Sequence, residues 1–139
     1  MEVIALIVSV LALGLSILQF FKESSRQKKE ATLNAYNVLQ NEVFSELKKY
    51  DLGNIKKGDD GWDDITICLA KIENFAVGIN TGIYSLNILN SLGGGFFINQ
   101  YEKLLPIISK KREEDKKTKH YNEFETVVND LRTKRGKTK

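Results

Sequence analysis

The chain contains a single cysteine, Cys68, so no disulfide can form within it. That suits a reducing compartment. Cys68 lies among Ile65, Ile67 and Leu69 and reads as a small core residue. A reactive thiol needs an electropositive setting, which this neighbourhood does not offer. Histidine is as scarce: His120 stands alone, between Lys119 and Tyr121, and reads as a surface residue. A zinc site of the usual kind takes several His or Cys ligands. An acid–base role would need partners that the sequence does not single out. Excess charge is also small. The net charge of +3 is mild beside the basic stripe expected of a nucleic-acid binder.

Several motifs are missing as well. Gly93-Gly94-Gly95 is followed by Phe96 and Phe97, without the Gly-Lys-Ser/Thr ending of a phosphate loop and without a preceding strand. It reads as a break between helices. Asp59-Asp60 and Asp63-Asp64 do not fit a twelve-residue calcium loop, and the second pair suits a helix N-terminus. Ser85 and Ser91 have no nucleophile-elbow residues around them. No enzyme activity, cofactor or metal is therefore expected, and nucleic acid is not an expected partner.

What is present is a long apolar run. Val3 to Phe21 reads VIALIVSVLALGLSILQFF, with no charged residue and no proline. At about 1.5 Å per residue its 19 residues make about 28 Å of helix, close to the ~30 Å hydrocarbon core of a bilayer. A cleaved signal peptide would begin with basic residues and end in small ones. This segment begins Met1-Glu2 and ends Leu18-Gln19-Phe20-Phe21, so an uncleaved anchor is expected. Lys22, Arg26, Lys28 and Lys29 follow it, against Glu2 alone on the other side. The positive-inside rule then puts the N-terminus outside and the rest in the cytoplasm, on the cell membrane. The same four cations are candidates for contact with anionic head groups. Ala5, Ser9, Ala12, Ser16 and Gln19 form a heptad-like stripe of small and weakly polar residues. Such a stripe suits close helix association in lipid.

The remainder reads as helical. Tyr36, Leu39, Val43 and Leu47 recur at helical spacing, in a helix that either continues the anchor or breaks at Ser24-Ser25. Polar, glycine-containing chain to Gly61 is a loop. A second helix starts near Trp62 and carries Ile65, Cys68, Leu69, Ile72, Phe75, Ala76 and Ile79. Asn80-Thr81-Gly82 loosens or ends it. A short helical segment spans Ile83 to Leu92. Beyond the glycines, Phe97, Tyr101, Leu104, Leu105 and Ile108 line one face, with Pro106 expected to kink it. Tyr121, Phe124, Val128 and Leu131 mark a last helix. From Arg132 on, the chain reads as a frayed, solvated basic tail. The expected fold class is mainly α: one transmembrane helix and a small cytoplasmic helical bundle. The division is anchor 1–22, domain 23–133 and flexible basic tail 134–139. Glu73, at the edge of an apolar face, and Arg112, at a helix end, are expected to form a structural ion pair.

The stretch Ile72-Glu73-Asn74-Phe75-Ala76-Val77-Gly78-Ile79, then Gly82-Ile83-Tyr84, Ile107-Ile108 with Arg112, and Tyr121-Asn122-Glu123-Phe124-Glu125, resembles a bacterial family of unknown function. The resemblance covers roughly residues 31–131, and Glu-x-x-Ala-x-Gly-Ile carries it best. Ser85 departs from an acid often found there. The resemblance implies a short protein with an N-terminal membrane helix and a cytoplasmic helical domain, and it implies no activity.

Three functions are compatible with these features. The first expectation is a membrane-anchored interaction or regulatory domain facing the cytoplasm. Its partners would be the lipid bilayer, an unknown protein and a second copy of the chain. The alternatives are a small membrane effector, phage-exclusion or toxin-like, acting through oligomerisation, and an enzyme on a lipid or small molecule.

Overall fold

The computed structural model describes residues 1–136, which are helices joined by turns, with no strand among the described residues. Helix α1 spans Glu2–Val38. It passes without a break into a π-helical segment, Leu39–Phe44, and then into a short α2, Ser45–Leu47. The result is one rod of 46 residues, and Ser24-Ser25 lies inside it. The polar residues of 22–50 include neither proline nor glycine, so nothing stops the helix at the end of the apolar run.

The rod has two environments. Every residue from 1 to 30 is exposed. Burial begins at Thr32 and Tyr36 and continues through Leu39, Val43, Phe44 and Leu47. The π segment explains how Val43 and Phe44 are both buried. Its i→i+5 pattern brings Leu39 and Phe44 toward the same side, whereas Val38 is left 51% exposed.

Helix α3 is Trp62–Asn80, α4 is Leu86–Glu114 and α5 is Asn122–Gly136. Helix α5 packs on both α3 and α4, and α1 packs on α4. Phe97, fully buried on α4, is where these layers meet. Its ring lies 6.4 Å from Phe44, 6.0 Å from Phe75 and 5.0 Å from Phe124, one partner from each of the other layers. The contacts with Phe44 and Phe124 are edge-on, a favoured aromatic arrangement. Cys68 is buried as expected, its thiol facing the Val43 carbonyl at 3.9 Å, and burial pushes its pKa up.

One hydrogen bond and one close approach tie α1 to α4. The Thr32 hydroxyl donates to the Lys28 carbonyl at 2.7 Å and accepts from the Ser85 amide at 2.8 Å. Ser85 in turn caps α4, its hydroxyl accepting from Ile88 N at 3.3 Å. Tyr36 reaches across to Gly93, where a Cβ would collide with its hydroxyl. The triple glycine breaks the helix as expected, and the two helical segments of α4 meet there across a kink. It sits within α4, where only Gly93 leaves helical dihedrals (φ 177°, ψ 45°). The break expected at the glycines falls at Gly93, whereas Pro106, where a kink was also expected, keeps helical dihedrals. Pro106 and Glu102 lie on the exposed side, where water can solvate the carbonyl that proline leaves unpaired. Leu105, placed in the apolar stripe from spacing, is 38% exposed, and Ile107 takes the buried position.

The basic tail expected to fray from Arg132 is helical as far as Gly136. Arg132 reaches Glu102 at 3.1 Å and Arg135 reaches Asn90 at 3.1 Å, both on α4. Lys137 and Lys139 of that tail lie outside the described residues.

Because Phe97 joins three layers at once, Phe97→Ala should destabilise the domain by ~3–5 kcal/mol. Gly14→Ala, with open space around it, should be neutral. Thermal unfolding of the full chain in detergent, followed by circular dichroism, compares the two.

Candidate functional site

The residues of the apolar run have no protein cover. Val3 to Phe21 is exposed along its whole length, with values such as 68% at Val3 and 65% at Phe21. Ala5, Ser9, Ala12, Ser16 and Gln19 lie on this bare helix. The Ser9 hydroxyl donates to the Ala5 carbonyl at 2.8 Å and Ser16 to Ala12 at 2.9 Å. Both hydroxyls are thus satisfied within their own helix, which lets them sit in an apolar medium. Immediately after, Lys22, Arg26, Lys28 and Lys29 are exposed. Arg26 pairs with Glu23 at 2.8 Å, and that contact lowers the Glu23 pKa and raises that of Arg26. Lys22, Lys28 and Lys29 have no carboxylate partner among the described residues.

Glu73 and Arg112 do not form the expected ion pair. Each instead holds the turn that leads into α5. The Glu73 carboxylate accepts from the amides of Glu123 and Phe124, both at 2.9 Å. It thereby takes the place of an N-cap for α5, supplied from another helix, at the end where a negative charge is favoured. Arg112 donates to the His120 carbonyl at 2.8 Å and meets Glu125 at 3.2 Å. Tyr121 lies between these two grips in the left-handed region (φ 61°), a conformation that disfavours an L side chain. The spacing of the sequence located both polar residues correctly at the edges of apolar faces. It could not show that backbone amides, rather than each other, are their partners. Lys119 joins Glu125 at 2.9 Å, and this contact, with Arg112, holds the Glu125 carboxyl below its ordinary range. His120 serves through its backbone, and its ring is partly exposed, 3.5 Å from Asp115.

A third feature was not seen in the sequence. A cleft of about 580 Å³ opens between the end of the rod and α4. Its lining includes Leu47, Lys48, Tyr50, Leu52, Phe96, Gln100, Lys103 and Pro106. Gln100 is 7% exposed, yet its carboxamide has no hydrogen-bond partner among the described residues. No side-chain nitrogen or oxygen there is both sealed from solvent and unpartnered, so the amide must look out through the cleft. The signal for Gln100 was available: it follows Phe97 by three and precedes Leu104 by four, which puts it on the core face. Tyr50 is occupied elsewhere. Its hydroxyl donates to Asp64 at 2.9 Å, and that carboxylate pushes its pKa up to about 12.

Residues 6–131 match the family model described as Domain of unknown function (DUF4760). The chain belongs to this family. No curated protein and no solved structure matches it. The DUF4760 match begins within the apolar run, so that run and the helical domain are matched as one unit. It also ends at Leu131, inside α5, after the turn that Glu73 and Arg112 grip.

Removing the cap with Glu73→Ala should cost ~1–2 kcal/mol, since two α5 amides lose a charged acceptor. The Glu125 carboxyl titrates below its ordinary 4.5 in the folded protein. Its contribution to stability is therefore present above that value and lost as pH falls through the lower folded pKa. Glu125→Gln should flatten that acid-side loss, as read from Tm against pH.

Proposed function

We propose that this DUF4760 protein is a single-pass membrane protein whose helical domain acts as an interaction or regulatory module at the cytoplasmic face. The observation that carries the reading is the split environment of one continuous helix. Its apolar half has no protein to cover it, and its polar half is a wall of the folded core. Exposed apolar surface of that extent marks a partner or a membrane. Its length matches the hydrocarbon core, and a helix pairs its own backbone there. The cations at 22–29 favour the cytoplasmic side for the domain.

The helix supports a particular way of holding that domain. From Lys22 to Ala31 the rod carries no other element, and burial starts at Thr32. Ten residues at about 1.5 Å each make a stalk of about 15 Å. Because the stalk runs into the core as the same helix, the domain would be presented in a set orientation and not on a loose tether. That suits recruitment of a protein partner to the membrane surface.

Two measurements test the reading. The full chain should stay in the membrane pellet after alkaline carbonate washing, and deletion of residues 3–21 should release it. For orientation, Lys116→Cys in a Cys68→Ala background places one exposed thiol in the turn before α5. A membrane-impermeant thiol reagent should label it only after cells are permeabilised. Release by carbonate would overturn the anchor, and labelling of intact cells would overturn the cytoplasmic side.

A further inference from the structure

We infer that the cleft between the end of the rod and α4 is a binding site for a small, water-soluble organic anion that has an apolar body, one carboxylate and one amide. The cleft supplies a feature for each part. Its volume of about 580 Å³ is within the range of small-molecule sites. Phe96, Leu52 and Pro106 line it with partly accessible apolar surface. Gln100 presents a donor and an acceptor from within the wall, and neither is used by the protein. A ligand amide offers the complementary pair, and a carboxamide held by a packed helix is preorganised to meet it.

The charge follows from which groups are already occupied. Glu102 is paired with Arg132 at 3.1 Å. Asp51 accepts from the Asn54 amide at 2.7 Å and from Gly53 N at 3.3 Å. Lys48 and Lys103 line the same cleft and have no carboxylate partner among the described residues. Asp51 has no cation partner among the described residues, so the unpaired charges of Lys48, Lys103 and Asp51 sum to one positive charge, which suits one carboxylate.

The water-soluble source rests on the membrane reading above, whereas the site itself does not. Leu47 lies on the same unbroken helix as Phe21, 26 residues further on, so about 39 Å separates the cleft from the end of the apolar run. That exceeds the reach of a lipid head group, so the anion has to come from solution.

The test uses the full chain in detergent micelles and N-acetyl-L-phenylalanine as the probe, with empty micelles as the blank. Saturable binding in the high-micromolar to millimolar range is expected by calorimetry or ligand-observed NMR. Gln100→Leu should weaken it at least tenfold while leaving Tm unchanged or raised, because the replacement is apolar. Lys103→Ala, on the exposed rim, should weaken it several-fold, with less dependence on salt than in the parent. The uncharged analogue N-acetyl-L-phenylalaninamide should bind at least tenfold more weakly than the acid. Absence of saturable binding, or equal binding to the parent and to both variants, would overturn the proposal. Binding in micelles does not depend on topology, so this result and the membrane tests fail separately.

Discussion

One continuous helix runs through two environments. Its first half is covered by nothing and carries no charge from Val3 to Phe21, and its second half supplies Thr32, Tyr36, Leu39, Val43, Phe44 and Leu47 to a packed interior. A break between the halves would let the domain rotate freely. The helix does not break, so the direction of the apolar segment and the orientation of the core are coupled through backbone hydrogen bonds alone. The π segment falls where that coupling meets the core. It changes the helical phase once, at the place where the residues facing α3 and α4 have to be matched.

Around that wall, α4 is the organising element. Phe97 touches each of the other layers, and Gly93 admits the Tyr36 hydroxyl so that α1 and α4 lie close. Close approach at a glycine and a large ring four residues later serve opposite needs, one removing volume and the other filling it. Close packing demands both. Helix α5 is then held at its N-terminus by Glu73 and Arg112, which come from different helices and grip either side of Tyr121. The strained dihedral of Tyr121 persists because both sides of the turn are held.

The same packing leaves a gap where α2 ends and the loop to α3 begins. The apolar faces close over the centre of the bundle, and at its edge they meet a glutamine instead of another aliphatic residue. Gln100 thus occupies a core position without a core partner, beside two lysines that form no ion pair among the described residues. This is the one place in the described chain where an interior position and unmet polar groups coincide. It is also well separated from the apolar run along the rod.

Sequence alone was enough to give the helical class, the apolar segment, the loop before Trp62 and the last helix near Asn122. Each of these depends on local periodicity, length or the placement of glycine. It also marked Glu73 and Arg112 as notable, because a charge at the border of an apolar face is visible in one dimension. Only the tertiary structure decided what those charges hold, since the amides of Glu123 and Phe124 are 50 and 51 residues from Glu73 along the chain. It likewise kept Pro106 in helical dihedrals, carried the last helix to Gly136 and set Gln100 in the wall of a cleft. Packing decides such details: Tyr36 lies against Gly93, Asn90 lies against Arg135, and a cleft opens beside Gln100. Periodicity states which face of a helix is buried, and it does not state what lies opposite that face.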